Sequence, residues 1–205
     1  MEGTKPVNKK LAAAVSGGAV LVLALTGCSS SAADSKNEAL NTWAKQVCDA
    51  VQPQAKKIEA ANAAIQKETS DNSEPAQVQK TDAQAFQDMA DAYKAIGQAV
   101  NNAGAPEVDN GRKKQQDAVK ELNGLAASYT SLKQQVDKLD TKNQAKFADG
   151  LKDIATRLDT LSRTGNDALK NLEEGDVGRA MAQQPSCKSA SATPSTSASS
   201  PATGG

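Results

Sequence analysis

Three cysteines, Cys28, Cys48 and Cys187, are the side chains of this sequence best suited to covalent chemistry. The 205 residues include no histidine, the side chain most often used for proton transfer near neutral pH and the commonest metal ligand. A Ser-His-Asp or Cys-His nucleophile and a histidine-bearing zinc site are therefore excluded. Catalysis by carboxylates alone would need two acids that face the interior, and we find none on the apolar seams. We expect a protein that is not an enzyme and holds no metal or cofactor.

The segment that precedes Cys28 has the anatomy of an export signal. Three lysines lie among its first ten residues, an apolar run extends from Leu11 to Leu25, and small residues follow. The apolar run holds 15 residues. A membrane-spanning helix needs about 20 residues, so this run is short for a span. We therefore expect residues 1–27 to be a cleaved signal peptide.

The residues Leu25-Thr26-Gly27-Cys28 resemble the lipobox of bacterial lipoproteins, in which the cysteine is acylated and becomes the mature N-terminus. The resemblance implies that Cys28 carries fatty acyl chains such as palmitate. It also implies that the protein is extracytoplasmic and anchored through Cys28 to the lipid bilayer, on the outer face of the bacterial cell membrane. Two alternatives stay open: a plain secretory signal, or an uncleaved anchor in which Cys28 is an ordinary thiol.

The charge balance argues against a nucleic-acid partner. The whole chain has 24 basic and 24 acidic residues, and removal of residues 1–27 leaves 21 basic and 23 acidic ones. A nearly neutral surface lacks the basic footprint of nucleic-acid-binding proteins and is only weakly attracted to anionic lipids. Membrane attachment would then depend on the acyl chains at Cys28, in which each buried methylene contributes ~0.8 kcal/mol.

Cys48 and Cys187 are the two cysteines that remain once Cys28 is acylated. Thiols outside the cytoplasm are commonly oxidised when they lie close together in a fold, so export predicts a Cys48–Cys187 disulfide. In the chain-entropy model, closing a loop of this length contributes roughly 5 kcal/mol to stability. The alternative is two separate thiols.

Four segments of the chain carry the heptad spacing of packed helices. Their apolar residues recur at steps of three and four, and the period of two that is typical of strands is absent. The seams are Leu40, Ala44, Val47, Val51, Ile58, Ala61 and Ile65; Phe86, Met89, Tyr93, Ile96 and Val100; Leu122, Leu125, Tyr129, Leu132, Val136 and Leu139; and Phe147, Leu151, Ile154, Leu158, Leu161, Ala168 and Leu172. The sequence predicts an all-α fold: an antiparallel up-down four-helix bundle of coiled-coil-like helices, because short connections place successive helices antiparallel.

Capping residues predict where these helices begin and end. Ser35 and Glu38 form a capping box at the start of the first helix, which should end near Thr69. Pro53 should kink this helix or divide it in two. Gly104 should end the second helix.

The later boundaries depend on shorter signals. Asp109 can cap the third helix, and Thr141 with Gln144 forms a capping box for the fourth, after a bend at Asp140-Thr141. Gly175 should close the fourth helix, and residues 177–183 should form a final short turn of helix.

The chain therefore divides into a signal peptide (1–27), a short polar tether (28–35), a helical bundle domain (36–187) and a tail (188–205). The tail is rich in Ser, Thr, Ala and Pro and holds no aliphatic residue larger than alanine. It cannot offset the entropy of ordering, so we expect it to be disordered. O-linked sugars or passage through the cell wall are alternative uses of such a tail. In the bundle, residues 176–187 must turn back along the first helix to bring Cys187 to Cys48.

A second resemblance covers nearly all of the mature chain. The lipobox, the stretch WAKQVCD at residues 43–49, the alanine-rich helices, the stretch FADGL at 147–151 and the late Cys187 resemble small secreted lipoproteins of actinobacteria. The activity of that group is unassigned. The resemblance implies a lipid anchor and a Cys48–Cys187 pair, and it implies no catalytic role.

Three functions compete on this basis. The first is a membrane-anchored, non-enzymatic helical module that binds an envelope protein or cell-wall component or has a structural role. The second is a receptor for a small apolar ligand or lipid, in a cleft opened by the Pro53 kink near Trp43. The third is an enzyme, which would need inward-facing carboxylates with displaced pKa values. The aromatic residues occupy or adjoin seams, which favours a role in the core.

Overall fold

The computed structural model describes residues 28–68, 73–164 and 167–191, and all regular structure in these ranges is helical. The helices are α1 (Cys28–Glu68), α2 (Pro75–Ala103), α3 (Gly111–Val136), α4 (Gln144–Thr164), α5 (Asp167–Leu172), α6 (Asp176–Gln183) and α7 (Pro185–Ser191). The prediction of an all-α fold is confirmed. The predicted signal peptide, and the predicted tail from residue 192 onward, lie outside the described residues.

α1 begins earlier than the sequence predicts. It starts at Cys28, so the pair Ser35 and Glu38 lies inside the helix rather than at its start. Residues 28–35 are helical and not an extended tether. Adding a residue to an existing helix costs far less than nucleating one, which allows the small residues after Cys28 to continue α1. The helix ends at Glu68, one residue before the predicted end.

Pro53 lies inside α1 and does not divide it. A proline removes one main-chain donor and crowds the carbonyl four residues earlier, so an isolated helix would be weakened there. In this fold α1 packs against α2 on both sides of the proline, through Val47 before it and Ala61 after it. This packing holds the two halves of α1 in one helix. The predicted division is wrong, and the predicted kink stays a prediction.

α2 is the central helix, because its most extensive contacts are with α1 on one side and α3 on the other. Four of its five seam residues, Phe86, Met89, Ile96 and Val100, are buried as predicted. The helix ends at Ala103 and is followed by Gly104, whose φ of 75° is strained for residues that carry a Cβ. The predicted end of the second helix is confirmed.

The ends of α3 and α4 differ in detail from the prediction. The residue before α3 is Asn110, with φ of 57° and no side-chain capping bond, so Asp109 does not cap this helix. The predicted break at residues 140–141 is present, but α4 begins after Asn143. The Asn143 Oδ1 atom accepts a hydrogen bond from the Lys146 N–H at 3.1 Å, so Asn143 takes the place expected for Thr141. Asn is among the preferred residues at this position, because its side-chain oxygen accepts a hydrogen bond from an N–H of the first turn.

The last third of the chain forms more helices than expected. The predicted fourth helix is present as α4 and α5, and it stops at Leu172 instead of Gly175. Gly175 has φ of 71° and precedes α6, which matches the predicted final turn. α7 was not predicted, and its last residues fall in the region assigned to the tail.

Two apolar clusters form the core. The first core cluster comprises Leu40, Trp43, Ala44, Val47, Ile96, Val100, Ala118, Leu122, Leu172, Val177 and Ala180. The second core cluster comprises Ala61, Ala83, Ala85, Phe86, Met89, Leu132, Val136 and Ile154. α5 and α6 complete the first cluster, whereas α4 completes the second. The two clusters therefore lie at successive levels along α1, α2 and α3.

Candidate functional site

The disulfide between Cys48 and Cys187 joins α1 to α7. The two Sγ atoms are 2.08 Å apart and the two Cα atoms are 5.0 Å apart. This Cα separation lies inside the usual range of ~4.4 to 6.8 Å. α6 and α7 both pack against α1, so the chain turns back along α1 as predicted. The predicted pairing of Cys48 with Cys187 is present in the structure.

Polar side chains surround this disulfide. The Ser186 hydroxyl donates a hydrogen bond to Asp49 Oδ1 at 2.5 Å, and Lys45 Nζ donates to Asp49 Oδ2 at 2.5 Å. The bond from Lys45, followed by the bond from Ser186, lowers the pKa of Asp49. Since Lys45 and Asp49 are both exposed, their ion pair adds little stability. The main consequence of this ion pair is that Asp49 neutralises the charge of Lys45.

A shallow groove of about 420 Å³ runs along α1 next to the disulfide. We call it the α1 groove, and it is lined by Asp34, Asn37, Glu38, Asn41, Thr42, Lys45 and Gln184. The α1 residues recur every three or four positions and so share one face of the helix. Gln184 lies between α6 and α7 and forms the facing wall. With Lys45 matched by Asp49, the groove offers amide hydrogen-bonding groups and the negative charges of Asp34 and Glu38.

A second groove, of about 300 Å³, lies between α3 and α4. Its lining is Ser128, Ser131, Leu132, Gln135, Arg157, Thr160 and Leu161. This lining combines hydroxyl and amide groups with the guanidinium group of Arg157 and the side chains of two leucines. Pockets for small ligands usually bury most of the ligand's surface, and both this groove and the α1 groove are too open to do so.

Trp43 is a core residue and lines neither groove. Its side chain is 6% exposed and belongs to the first core cluster. The indole N–H donates a hydrogen bond to the main-chain oxygen of Gly104 at 2.9 Å, which ties α1 to the end of α2. A ligand cleft at Trp43 would need an accessible ring, so the burial of Trp43 does not favour the hypothesis of an apolar-ligand receptor.

Trp43→Phe is expected to lower the free energy of unfolding by about 1 to 3 kcal/mol, because it removes the indole donor and leaves the Gly104 oxygen without it. Urea unfolding followed by circular dichroism measures this change. Thr42→Ala, an exposed neighbour on α1, is the matched control and should change stability by less than about 0.5 kcal/mol. A loss in Trp43→Phe no larger than in the control would show that the hydrogen bond to Gly104 contributes nothing.

Three other aromatic residues pack against one another. The rings of Tyr93 and Tyr129 are stacked, with centroids 5.4 Å apart and planes 8° apart, and the Phe86 centroid lies 6.2 Å from that of Tyr129. Burial raises the pKa of both tyrosine hydroxyls, so neither is a base near neutral pH. These rings join α2 to α3 and have a structural role.

Asp82 is an inward-facing carboxyl that the sequence analysis missed. It is 7% exposed, and its Oδ1 atom has no hydrogen-bond partner among the residues that the structure describes. Burial, and then the negative charge of Glu68, raise the pKa of Asp82 from 3.8 to about 6. The expectation that no acid lies on a seam is therefore wrong. The signal was present, because Asp82 precedes Phe86 by four residues and continues the seam of α2.

These residues define what the described part of the chain can do chemically. Asp82 can exchange a proton near pH 6 but lines neither groove. Within residues 28–68, 73–164 and 167–191, no group of three or more Cys, Asp or Glu side chains is arranged to hold a metal ion. In the same ranges no helix combines the length and apolar character that a membrane crossing requires.

Comparison with protein-family models, curated proteins and solved structures finds no match to this chain.

Proposed function

We propose that this protein is an extracytoplasmic lipoprotein, held to the outer face of a bacterial cell membrane by an acylated Cys28. Its helical domain is a non-enzymatic binding or structural module of the cell envelope, of the kind found among the small secreted lipoproteins of actinobacteria. The observation that carries the proposal is the Cys48–Cys187 disulfide, because structural disulfides persist in oxidising compartments and are rare in the cytosol. The LTGC sequence at residues 25–28 supplies the anchor.

Because α1 begins at Cys28, an acyl anchor on Cys28 would hold the helical domain by the first residue of α1. α1 is continuous over 41 residues and spans ~60 Å at 1.5 Å per residue. Asp34 lies six residues from Cys28, or ~9 Å along the helix axis. An acylated Cys28 would thus place the α1 groove beside the membrane surface, with the second core cluster towards the far end of α1.

The proposal includes the antiparallel up-down arrangement of four long helices, with a kink at Pro53. Three observations support it. α2 packs against both α1 and α3, and the connections at residues 104–110 and 137–143 are short. Short connections favour antiparallel neighbours. α5 follows α4 in the chain and packs against α3, as the fourth helix of a bundle would.

The partner that fits this module is an envelope protein or cell-wall component, and nucleic acid does not fit. The α1 groove supports this assignment, because its amide groups can pair with the hydroxyl and amide groups of peptides or glycans. The charges of Asp34 and Glu38 would repel phosphate groups, so a nucleic-acid backbone is disfavoured.

Cys28→Ala tests the anchor. In cells that express the full chain, wild-type protein is expected in the membrane fraction, with an N-terminal Cys28 peptide that carries the mass of acyl chains. The Cys28→Ala variant should lose most of its membrane association, because no acyl chain can be added to alanine. Ser31→Ala, which leaves the LTGC residues intact, is the matched control and should behave as wild type.

Two results would contradict the proposal. One is a wild-type Cys28 peptide without an acyl group, and the other is equal membrane association of wild type and Cys28→Ala. Mass spectrometry of the same material without reduction reports on export separately, since it detects the peptide pair linked through Cys48 and Cys187.

A further inference from the structure

Arg157 is the cationic residue in the lining of the groove between α3 and α4. Its side chain is exposed, and it forms no ion pair or hydrogen bond with the residues that the structure describes. Asp153 lies four residues earlier on α4, at a spacing and in an order that favour an ion pair on a helix. The side chain of Arg157 nevertheless lines the groove instead of pairing with Asp153.

Two lysines of the adjoining helix α3 are paired differently. Lys113 binds Asp117 at 2.5 Å and Lys133 binds Asp137 at 2.7 Å, so each lysine is neutralised by an acid four residues later. A charge that is matched in this way attracts an external anion less strongly than an unmatched one. The guanidinium group of Arg157 keeps its charge available for a ligand in the groove.

The polar groups across the groove from Arg157 can act as acceptors. The Ser128 hydroxyl donates its proton to the main-chain oxygen of Gly124 at 2.9 Å. The Gln135 amide donates to the main-chain oxygen of Ser131 at 3.1 Å. A hydroxyl that donates still has lone pairs on its oxygen, and the Gln135 side chain still has its carbonyl oxygen, so both can accept hydrogen bonds from a ligand.

We propose that this groove docks an extended acidic segment of a protein partner. A carboxylate of the segment binds Arg157, and main-chain N–H groups of the segment donate to Ser128 and Gln135. The planar guanidinium group suits this task, because it can form two parallel hydrogen bonds with one carboxylate. The half-buried Leu161 offers an apolar contact for a neighbouring side chain of the segment.

The shape and lining of the groove favour a peptide over an acidic glycan. The groove is open, and a chain segment can lie in it with one side still in water. Its lining includes no aromatic residue, so a sugar ring has no flat aromatic face on which to pack. The pattern of donors and acceptors also matches the alternating N–H groups and side chains of an extended peptide.

The position of the groove is compatible with the proposed anchor. Leu132 lines the groove and belongs to the second core cluster, which would lie away from the membrane. A partner could therefore reach the groove from the envelope. The docking surface goes beyond the proposed function, because it requires neither acylation of Cys28 nor an occupant in the α1 groove.

Nuclear magnetic resonance of the isotope-labelled full chain tests the groove with a defined probe. The probe is a short peptide, blocked at both ends, in which a single glutamate lies between leucine and alanine. It should shift the main-chain amide signals of Ser128, Ser131 and Arg157, and leave those of Asn37 and Asn41 in the α1 groove unchanged. Contact with one exposed charge should give a Kd of about 1 mM. The same peptide with glutamine in place of glutamate should bind about fivefold more weakly.

Arg157→Gln should weaken binding of the glutamate peptide about fivefold, because it removes the guanidinium group that holds the carboxylate. Arg112→Gln is the matched control. It removes an exposed arginine from α3 outside the groove and should change the Kd less than twofold. Since Arg157 is exposed, its replacement should leave the fold intact, which the unchanged amide signals of α1 would verify.

Three results would overturn the proposal. The absence of any shift at about 10 mM glutamate peptide would mean that the groove docks no acidic segment. Equal binding of the two peptides, or undiminished binding by Arg157→Gln, would mean that Arg157 does not recognise the carboxylate. Methyl glucuronide is titrated in parallel as an acidic sugar, and tighter binding of this sugar at the same residues would assign the groove to a glycan.

Discussion

Phe86→Ala is expected to lower the free energy of unfolding by about 3 to 5 kcal/mol, the usual cost of deleting a buried aromatic ring. Phe86 is 1% exposed and belongs to the second core cluster, where α2 meets α3. Its removal would leave a cavity beside Tyr129, whose ring centroid lies 6.2 Å from that of Phe86. Urea unfolding followed by circular dichroism measures the loss.

A matched variant keeps the site apolar. Phe86→Leu removes only part of the ring's volume, so its cost should be clearly smaller than that of Phe86→Ala. Trp43 fluorescence adds a second readout, because Trp43 lies in the first core cluster and Phe86 in the second. If the domain unfolds cooperatively, the fluorescence transition should shift together with the helical signal. A loss below 1.5 kcal/mol for Phe86→Ala would contradict the packing described for the second cluster.

The heptad seams predicted many of the buried side chains, because burial depends on spacing along one helix, and the other described seam residues, among them Val51 and Leu158, are partly buried. Leu122, Leu132 and Val136 of α3 and Phe147 and Ile154 of α4 are all buried. The helix starts were predicted less well. A capping box is a local preference of about 1 kcal/mol, and α1 extends past the Ser35 box to Cys28. α7 was missed because a short helix without large apolar residues gives no periodic signal.

The candidate site was predictable only in part. The Cys48–Cys187 pair followed from the composition and the expected export, and it needed no knowledge of the packing. The α1 groove could not be predicted, because Gln184 joins Asn37 and Asn41 in its lining only through the turn between α6 and α7. Asp82 was missed for another reason: a seam traced from apolar residues begins at Phe86 and leaves out the acid four residues before it.

Asp82→Asn is expected to make the protein more stable at pH 7, by up to about 3 kcal/mol. The pKa of Asp82 is raised from 3.8 to about 6, by burial first and by the charge of Glu68 second. One pKa unit corresponds to about 1.4 kcal/mol of preference for one protonation state. Above pH 6 the folded wild type must therefore hold a buried carboxylate whose Oδ1 atom lacks a hydrogen-bond partner within the described ranges. Asparagine keeps the shape of the side chain and removes the charge.

The raised pKa of Asp82 determines the direction in which stability changes with pH. Between pH 3.8 and about pH 6, Asp82 holds its proton in the folded state and loses it in the unfolded state. The folded state then binds more protons, so this contribution to stability is fully present below pH 3.8 and is lost as the pH rises to about 6. The Asp82→Asn variant has no such loss. The free energies of unfolding of the two proteins should therefore be similar near pH 4 and differ increasingly above it.

Urea unfolding of wild type and Asp82→Asn at pH 4, 5, 6 and 7 measures the divergence. Asp91→Asn removes an exposed carboxyl from the same helix and is the matched control, which should follow the wild-type profile. A constant difference between wild type and Asp82→Asn across this range would show that the carboxyl keeps one protonation state throughout. A less stable variant at pH 7 would mean that the folded protein favours the carboxylate, because a partner for Asp82 compensates for its burial.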